Sequence, residues 1–209
     1  MYGFITKLMV SGKLKFTNGE IDVFEEPFAL VPMVSIAQMT RDAMKRGGRA
    51  INDLYFYGWV YGFVVTLAMV KKFKLKKFEE RYKISMDVAA LVGFGDYQTV
   101  SFKKGHSHFK AIKNPFAMEF YPSKKLVDHY LRGMNAGGGT IVHEEIINCI
   151  EFKCTAQNGS HCLFDNVNKS EMDKFNQKLV KSQIDYNYLL KRQKELIIGC
   201  KEKLGKYGL

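Results

Sequence analysis

The chain lacks the opening of an exported protein: Met-Tyr-Gly-Phe is followed by no basic n-region, apolar h-region or small-residue cleavage site, so a cytoplasmic location is expected. It has only four cysteines among 209 residues, which is no disulfide framework, and a reducing compartment would keep them as thiols. The Gly93-x-Gly95 pair lacks the third glycine and following helix of a dinucleotide site, and is read as a turn or bulge. No iron–sulfur cysteine set and no flavin motif is present, which argues against hydride chemistry and against an enzyme. Leu54 to Val70 carries no charge, yet seventeen residues is the short end for a membrane span. Its tyrosine hydroxyls and the Trp59 indole would need partners in lipid, Asn52-Asp53 precedes it, and no companion span exists, so it reads as a buried helix.

Positive charge is plentiful: the formal net charge is +11. One concentration is Lys71, Lys72, Lys74, Lys76, Lys77, Arg81 and Lys83, and the other runs from Lys169 to Lys206. Neither shows aromatic interleaving or a known nucleic-acid module, so nucleic acid is not expected. Solvated helix faces are the simpler reading, with an acidic partner or an anionic membrane surface as the alternative.

Periodicity supplies the elements. Leu14, Phe16, Ile21 and Val23 alternate about Asn18-Gly19, giving a hairpin over residues 12–24. Apolar residues at helical spacing give a helix over 34–46 that Gly47-Gly48 stops, and Gly58 and Gly62 in the next helix leave room for another backbone. A basic helix follows over 77–91, then strands at 97–102 and 108–112, with His106 and His108 sharing strand parity. Ser123 to Asn135 reads as a helix capped by Ser123 and ended or loosened by Gly137-Gly138-Gly139. One long helix is expected from about Ser170 to Lys203. Its Met172, Phe175, Leu179, Tyr186, Leu189 and Leu196 fit a heptad seam, to be used either in a homodimer or against its own domain. The class is α+β, an antiparallel sheet packed with helices: a single domain over residues 1–168, with 169–209 as a C-terminal helix.

The chemistry concentrates in residues 146–166. Two apolar runs flank Gln157-Asn158-Gly159-Ser160, and a turn near Asn158 makes Cys154 and Cys162 cross-strand neighbours, with Glu151 three residues upstream. Thiolates and a carboxylate at a hairpin mouth suit zinc, while a buried apolar pair or an oxidised pair would place the cysteines in the same way.

These residues resemble the 4-vinyl-reductase domain family, a small-molecule-binding module of archaeal proteins and aromatic-responsive activators. The resemblance spans residues 114–166 and rests on Asn114-Pro115-Phe116-Ala117, His129-Tyr130-Leu131-Arg132-Gly133 and Glu151-x2-Cys154-x7-Cys162. It implies a fold shared with vesicle-tethering subunits, and a zinc ion held by the glutamate, the two cysteines and a third cysteine twenty-three residues before the glutamate. Here that offset falls on Asp128, with His129 beside it as the alternative fourth ligand and His161 and Cys149 as outside candidates. Lys153 or Arg132 would offset the negative charge of such a ligand set. The resemblance further implies a small hydrophobic or aromatic ligand between helices 55–63 and 125–134, against Tyr57, Trp59, Tyr61, Phe63, Tyr130 and Met134. An assembly or tethering subunit is the other reading, and a vinyl-group reductase a third.

Overall fold

Glycines on two facing helical stripes set the centre of the molecule, for which a computed structural model describes residues 2–206. Helix α1 (Tyr2–Val10) leads into an antiparallel meander of β1 (Leu14–Thr17), β2 (Glu20–Val23) and β3 (Glu26–Phe28). Helices α2 (Met33–Arg46), α3 (Gly48–Phe73) and α4 (Phe78–Leu91) follow. Strands β4 (Asp96–Lys103) and β5 (His106–Ile112) precede helix α5 (Pro115–Met118) and helix α6 (His129–His143). Strands β6 (Asn148–Lys153) and β7 (His161–Val167) close a second antiparallel sheet of order β4-β5-β7-β6, as the α+β class requires. Helices α7 (Lys169–Met172), α8 (Gln177–Gln183) and α9 (Tyr186–Lys206) end the described chain.

Helices α3 and α6 touch backbone to backbone. A Cβ added at Gly58 would lie 2.0 Å from the Tyr130 carbonyl oxygen, and one at Gly62 2.0 Å from that of Met134. From the other side, Gly133 and Gly137 would each place a Cβ 1.9 Å from the carbonyl oxygens of Tyr55 and Trp59. Glycine costs a helix about 1 kcal/mol relative to alanine, and close packing over this length offsets that cost. Around the crossing, Tyr55, Trp59, Leu131, Ile150 and Phe164 are fully buried. Helix α3 is long and apolar enough to cross a membrane, but 61% of its most apolar window is buried inside the fold, which fits the core-helix reading.

Two helices depart from expectation. The one expected over Ser123–Asn135 begins instead at His129 and runs to His143, through all three consecutive glycines. Ser123 does not cap it. The Ser123 hydroxyl accepts from Lys125 N at 3.0 Å in a local turn, and Ser123 N donates to the Ala156 carbonyl at 2.8 Å, which ties residues 123–128 to the hairpin rather than to a helix. Gly137-Gly138-Gly139 does not stop it because α3 and Asn166 occupy the space that side chains would need.

The single helix expected from Ser170 is three. Each has its own cap: Asn168 accepts from Glu171 N at 3.0 Å, Asn176 from Lys178 N at 2.9 Å, and Asp185 from Tyr188 N at 3.1 Å. The long C-terminal helix is therefore α9, of 21 residues; residues 207–209 of the expected segment, and Met1, lie outside the described residues. Met172 and Leu189 are buried in the core of their own chain, and Phe175, Leu179, Tyr186 and Leu196 pack against it. The break before α9 also covers a sheet edge, because the Gln183 amide accepts from Glu151 N at 2.9 Å and donates to Glu151 O at 2.8 Å.

The crossing makes a direct prediction. Gly137→Ala must push α3 away and should cost about 3 kcal/mol, whereas Gly199→Ala on α9, with nothing among the described residues within 4 Å of its Cβ, should gain roughly 0.5–1 kcal/mol. Urea unfolding of both variants checks this, and equal small effects would refute the tight crossing.

Candidate functional site

The residue before Pro115 anchors the site. Asn114 caps α5, its side-chain oxygen accepting from Ala117 N at 3.2 Å, while its amide nitrogen donates to both Asp128 oxygens at 3.0 and 3.1 Å and reaches Cys162 Sγ at 3.3 Å. Asp128 occupies the N-cap position of α6 without making a side-chain cap bond, so its carboxylate is free to face the hairpin. From β6 comes Glu151, from the strand end Cys154, and from β7 Cys162. One candidate ligand atom from each of Asp128, Glu151, Cys154 and Cys162 lies within 4.8 Å of every other, and all four residues are buried.

The two sulfurs are 4.0 Å apart and not bonded, and Cys154 Sγ is 3.6 Å from Asp128 Oδ2. Donors converge on Cys162: Thr155 N at 3.2 Å joins Asn114 Nδ2, with the Thr155 hydroxyl at 3.3 Å. Among the described residues no N–H or hydroxyl donor reaches either carboxylate oxygen of Glu151, whose acidic neighbour is the Asp128 carboxyl, and a buried carboxylate without donors is costly. Burial raises the Asp128 pKa against the hydrogen bonds that lower it. It raises that of Glu151 well above the usual range, with the Asp128 charge adding to the shift. The hydrogen bond with Cys162, and then burial, raise that of Cys154. A divalent cation bound to such a cluster would favour the ionised forms of its ligands.

His129 turns away from the cluster. Its Nδ1 lies 2.7 Å from Arg132 Nη2, and burial with that cation beside it pushes its pKa down to about 3. Arg132 is itself fully buried, donates at 3.3 Å to the Gln183 carbonyl, and makes no ion pair among the described residues. Lys153 and His161 stay at the surface, and Cys149 is buried on β6.

A cavity of about 60 Å³ opens beyond the other end of the glycine crossing, between α3, α4, α6 and the sheet. Tyr61, Val65, Met86, Phe109, Met134 and Val142 supply its apolar wall, and Tyr82, Ser107, Asn135, His143 and Asn166 its polar groups. The Tyr97 hydroxyl donates to Asn135 Oδ1 at 3.1 Å, but Asn135 Nδ2 and Asn166 Oδ1 are buried without partners among the described residues. Of the six residues expected around a ligand, Tyr61 and Met134 line this cavity. Tyr130 packs on Tyr61 with ring centroids 6.4 Å apart. Trp59 is enclosed between Phe56 and Phe63, Phe63 lines a separate groove toward α9, and Tyr57 is 52% exposed.

No protein-family model matches the chain, and no curated protein matches it significantly. Solved structures do match. The phenol-responsive sensory domain of the transcription activator PoxR, determined with phenol, aligns at a TM-score of 0.68 and 13% identity, over 85% of this chain and 95% of that one. The trafficking protein particle complex subunit 3 of Naegleria fowleri, covalently bound to palmitic acid, aligns at 0.52 and 14% identity, over 65% and 91% respectively. A vinyl-4-reductase family protein from Methanocaldococcus jannaschii aligns at 0.42 and 17%, over 68% and 98%. The chain thus shares the fold of the sensory domain and the trafficking subunit.

Sequence reasoning missed Asn114 and Thr155 as donors to the cluster, and Tyr82, His143, Asn135 and Asn166 around the cavity. Asn-Pro before a short apolar run was a legible cap signal; the second use of the same amide, toward Asp128, had none. The polar cavity residues come from four separate elements, so no local spacing links them.

His143 carries a pH dependence. Gly105 N donates to its Nδ1 at 3.0 Å, which leaves the proton on Nε2 facing Ser107 Oγ at 3.4 Å. Burial, then the charges of Lys104, His106 and Arg81, push its pKa down to about 4. An unfolded histidine takes up its proton near pH 6.5, so the stability from this group is complete above about 6.5 and is lost as pH falls toward 4. At pH 4.5 the loss should be roughly 2–3 kcal/mol. Urea unfolding at pH 7 and 4.5 should show a smaller drop for His143→Gln than for the native chain; an equal drop would contradict the assignment.

Proposed function

We propose that this protein is a small-molecule sensor domain whose fold is stapled by zinc and whose ligand, a compact hydroxyl-bearing aromatic molecule, occupies the cavity beside α6. The observation that carries the ligand half is the pairing of an apolar wall with one unpartnered amide donor, Asn135 Nδ2, and one unpartnered acceptor, Asn166 Oδ1. A hydroxyl group is both acceptor and donor, and fits that pair. The PoxR sensory domain, which shares the fold, was determined with phenol. A rigid apolar cavity that holds benzene measures roughly 150 Å³, so a ring would have to displace Met86 and Met134, whose unbranched thioether chains adapt readily.

For the metal half, the donor set of two thiolates and two carboxylates suits tetrahedral zinc. The orphaned oxygens of Glu151, and the Asn114 and Thr155 donors around Asp128 and Cys162, support that fit. Asp128, Glu151, Cys154 and Cys162 would hold the ion. With every donor supplied by protein, its chemistry would be structural, joining the hairpin to the start of α6.

Two expectations follow. Purified protein should carry about one zinc per chain, and Cys154→Ser and Asp128→Ala should each lose it together with at least about 3 kcal/mol of stability; zinc-free native protein of full stability would refute the staple. In thermal-shift or calorimetric titrations, phenol should bind at least about tenfold more tightly than toluene, and Asn135→Leu should abolish that preference. Equal binding of the two rings, or none, would refute the ligand assignment.

A further inference from the structure

We propose that the corner where α1, β1 and the α3–α4 connection meet is a docking surface for an anionic lipid bilayer. The elements are held together by a small second core in which Leu8 of α1, Phe24 and Met69 of α3 are buried and Phe73 and Leu75 pack against them. Backbone bonds from Lys13 N to Leu8 O at 2.8 Å and from Phe24 N to Lys13 O at 2.8 Å fix the α1–β1 corner. Lys13 Nζ lies 4.2 Å from the centre of the Phe73 ring, which brings that corner against the end of α3.

On the outside of this core, large apolar side chains point into solvent: Val10 is 84% exposed, Phe16 57% and Met9 51%. The connection after α3, which Lys13 over Phe73 and Lys72 with Glu25 bring against this corner, carries Lys74, Lys76 and Lys77, all exposed. Together with Lys7 and Lys13, these three form no ion pair among the described residues. Opposing charges are partly engaged. Glu25 pairs with Lys72 and Asp22 stands opposite Lys15 in the β1–β2 register, while Glu20 and Glu26 lie on the meander and Glu79 and Glu80 in the first turn of α4.

The combination selects the occupant. Single exposed apolar residues are ordinary on protein surfaces, but exposed aliphatic and aromatic tips flanked by unpaired lysines match a bilayer with anionic headgroups. There apolar tips enter the acyl boundary, and lysine stems reach past them to the phosphates. A nucleic acid would use the lysines and leave Val10, Met9 and Phe16 in water. This inference is independent of zinc and of the cavity.

Sedimentation of the full chain with phosphatidylcholine vesicles, with and without 30% phosphatidylserine, tests it. Binding is expected only with phosphatidylserine, and is expected to fall as salt rises. Lys74→Glu/Lys76→Glu/Lys77→Glu should weaken it by at least about tenfold, while Lys178→Glu/Lys191→Glu/Lys194→Glu, the same charge change on α8 and α9, should leave it nearly unchanged. Equal weakening by the two triple variants would reduce the effect to net charge and overturn the assignment. Val10→Ser/Phe16→Ser, at exposed positions that spare the core, should also weaken binding. Full binding by that variant would leave a general polyanion site and overturn the bilayer reading, as would failure of the native chain to bind. Circular dichroism of each variant confirms that it is folded.

Discussion

Everything in this molecule is referred to the contact between α3 and α6, where four glycines let carbonyl oxygens approach to distances that no Cβ tolerates. The contact fixes α6 in translation and rotation, because no side chain lies between the two backbones to absorb a shift. One end of α6 then presents Asp128 to the hairpin of Glu151, Cys154 and Cys162. The middle and far end present Met134, Asn135 and His143 to the cavity. A single rigid element therefore carries a residue of the candidate metal cluster and part of the wall of the candidate ligand site.

The metal end illustrates how charge is handled in a closed interior. Two carboxyls and two thiols share one buried site, where an ionised carboxylate carries a desolvation cost. Burial accordingly pushes both carboxyls toward their protonated forms. The surroundings nonetheless favour negative charge: Asn114 and Thr155 aim donors at Asp128 and Cys162, and the fully buried Arg132 lowers the energy of an ionised Glu151. Donors and a cation arranged around buried carboxyls and thiols are the pattern expected of a site completed by a cation. Gln183 ties this end to the C-terminal segment by pairing with the Glu151 backbone, so the arm beyond β7 rests on a residue of the cluster.

Much of this was legible in the sequence, and the parts that were not share a cause. Alternation about Asn18-Gly19, the uncharged helix through Trp59 and the spacing of Glu151, Cys154 and Cys162 are local signals, and the structure places those residues as their spacing implies. The Gly58 and Gly62 stripe announced a close approach, but its partner did not: Gly137-Gly138-Gly139 read as the end or loosening of a helix because their tertiary neighbour was invisible. Ser123 looked like a cap until the Ala156 carbonyl claimed its backbone. The heptad seam after Ser170 hid three caps, Asn168, Asn176 and Asp185, that local chemistry could have revealed. The cavity, assembled from distant elements, could not be read from spacing at all.

The zinc site proposed for Asp128, Glu151, Cys154 and Cys162 is closed, with every ligand supplied by protein. X-ray absorption at the zinc edge of the purified, metal-replete protein is the decisive measurement. Four-coordinate zinc is expected, with two sulfurs at ~2.3 Å and two oxygens at ~2.0 Å and without the multiple scattering of imidazole. A histidine signature, a shell without sulfur or an ion bound only by water and carboxylates would contradict it.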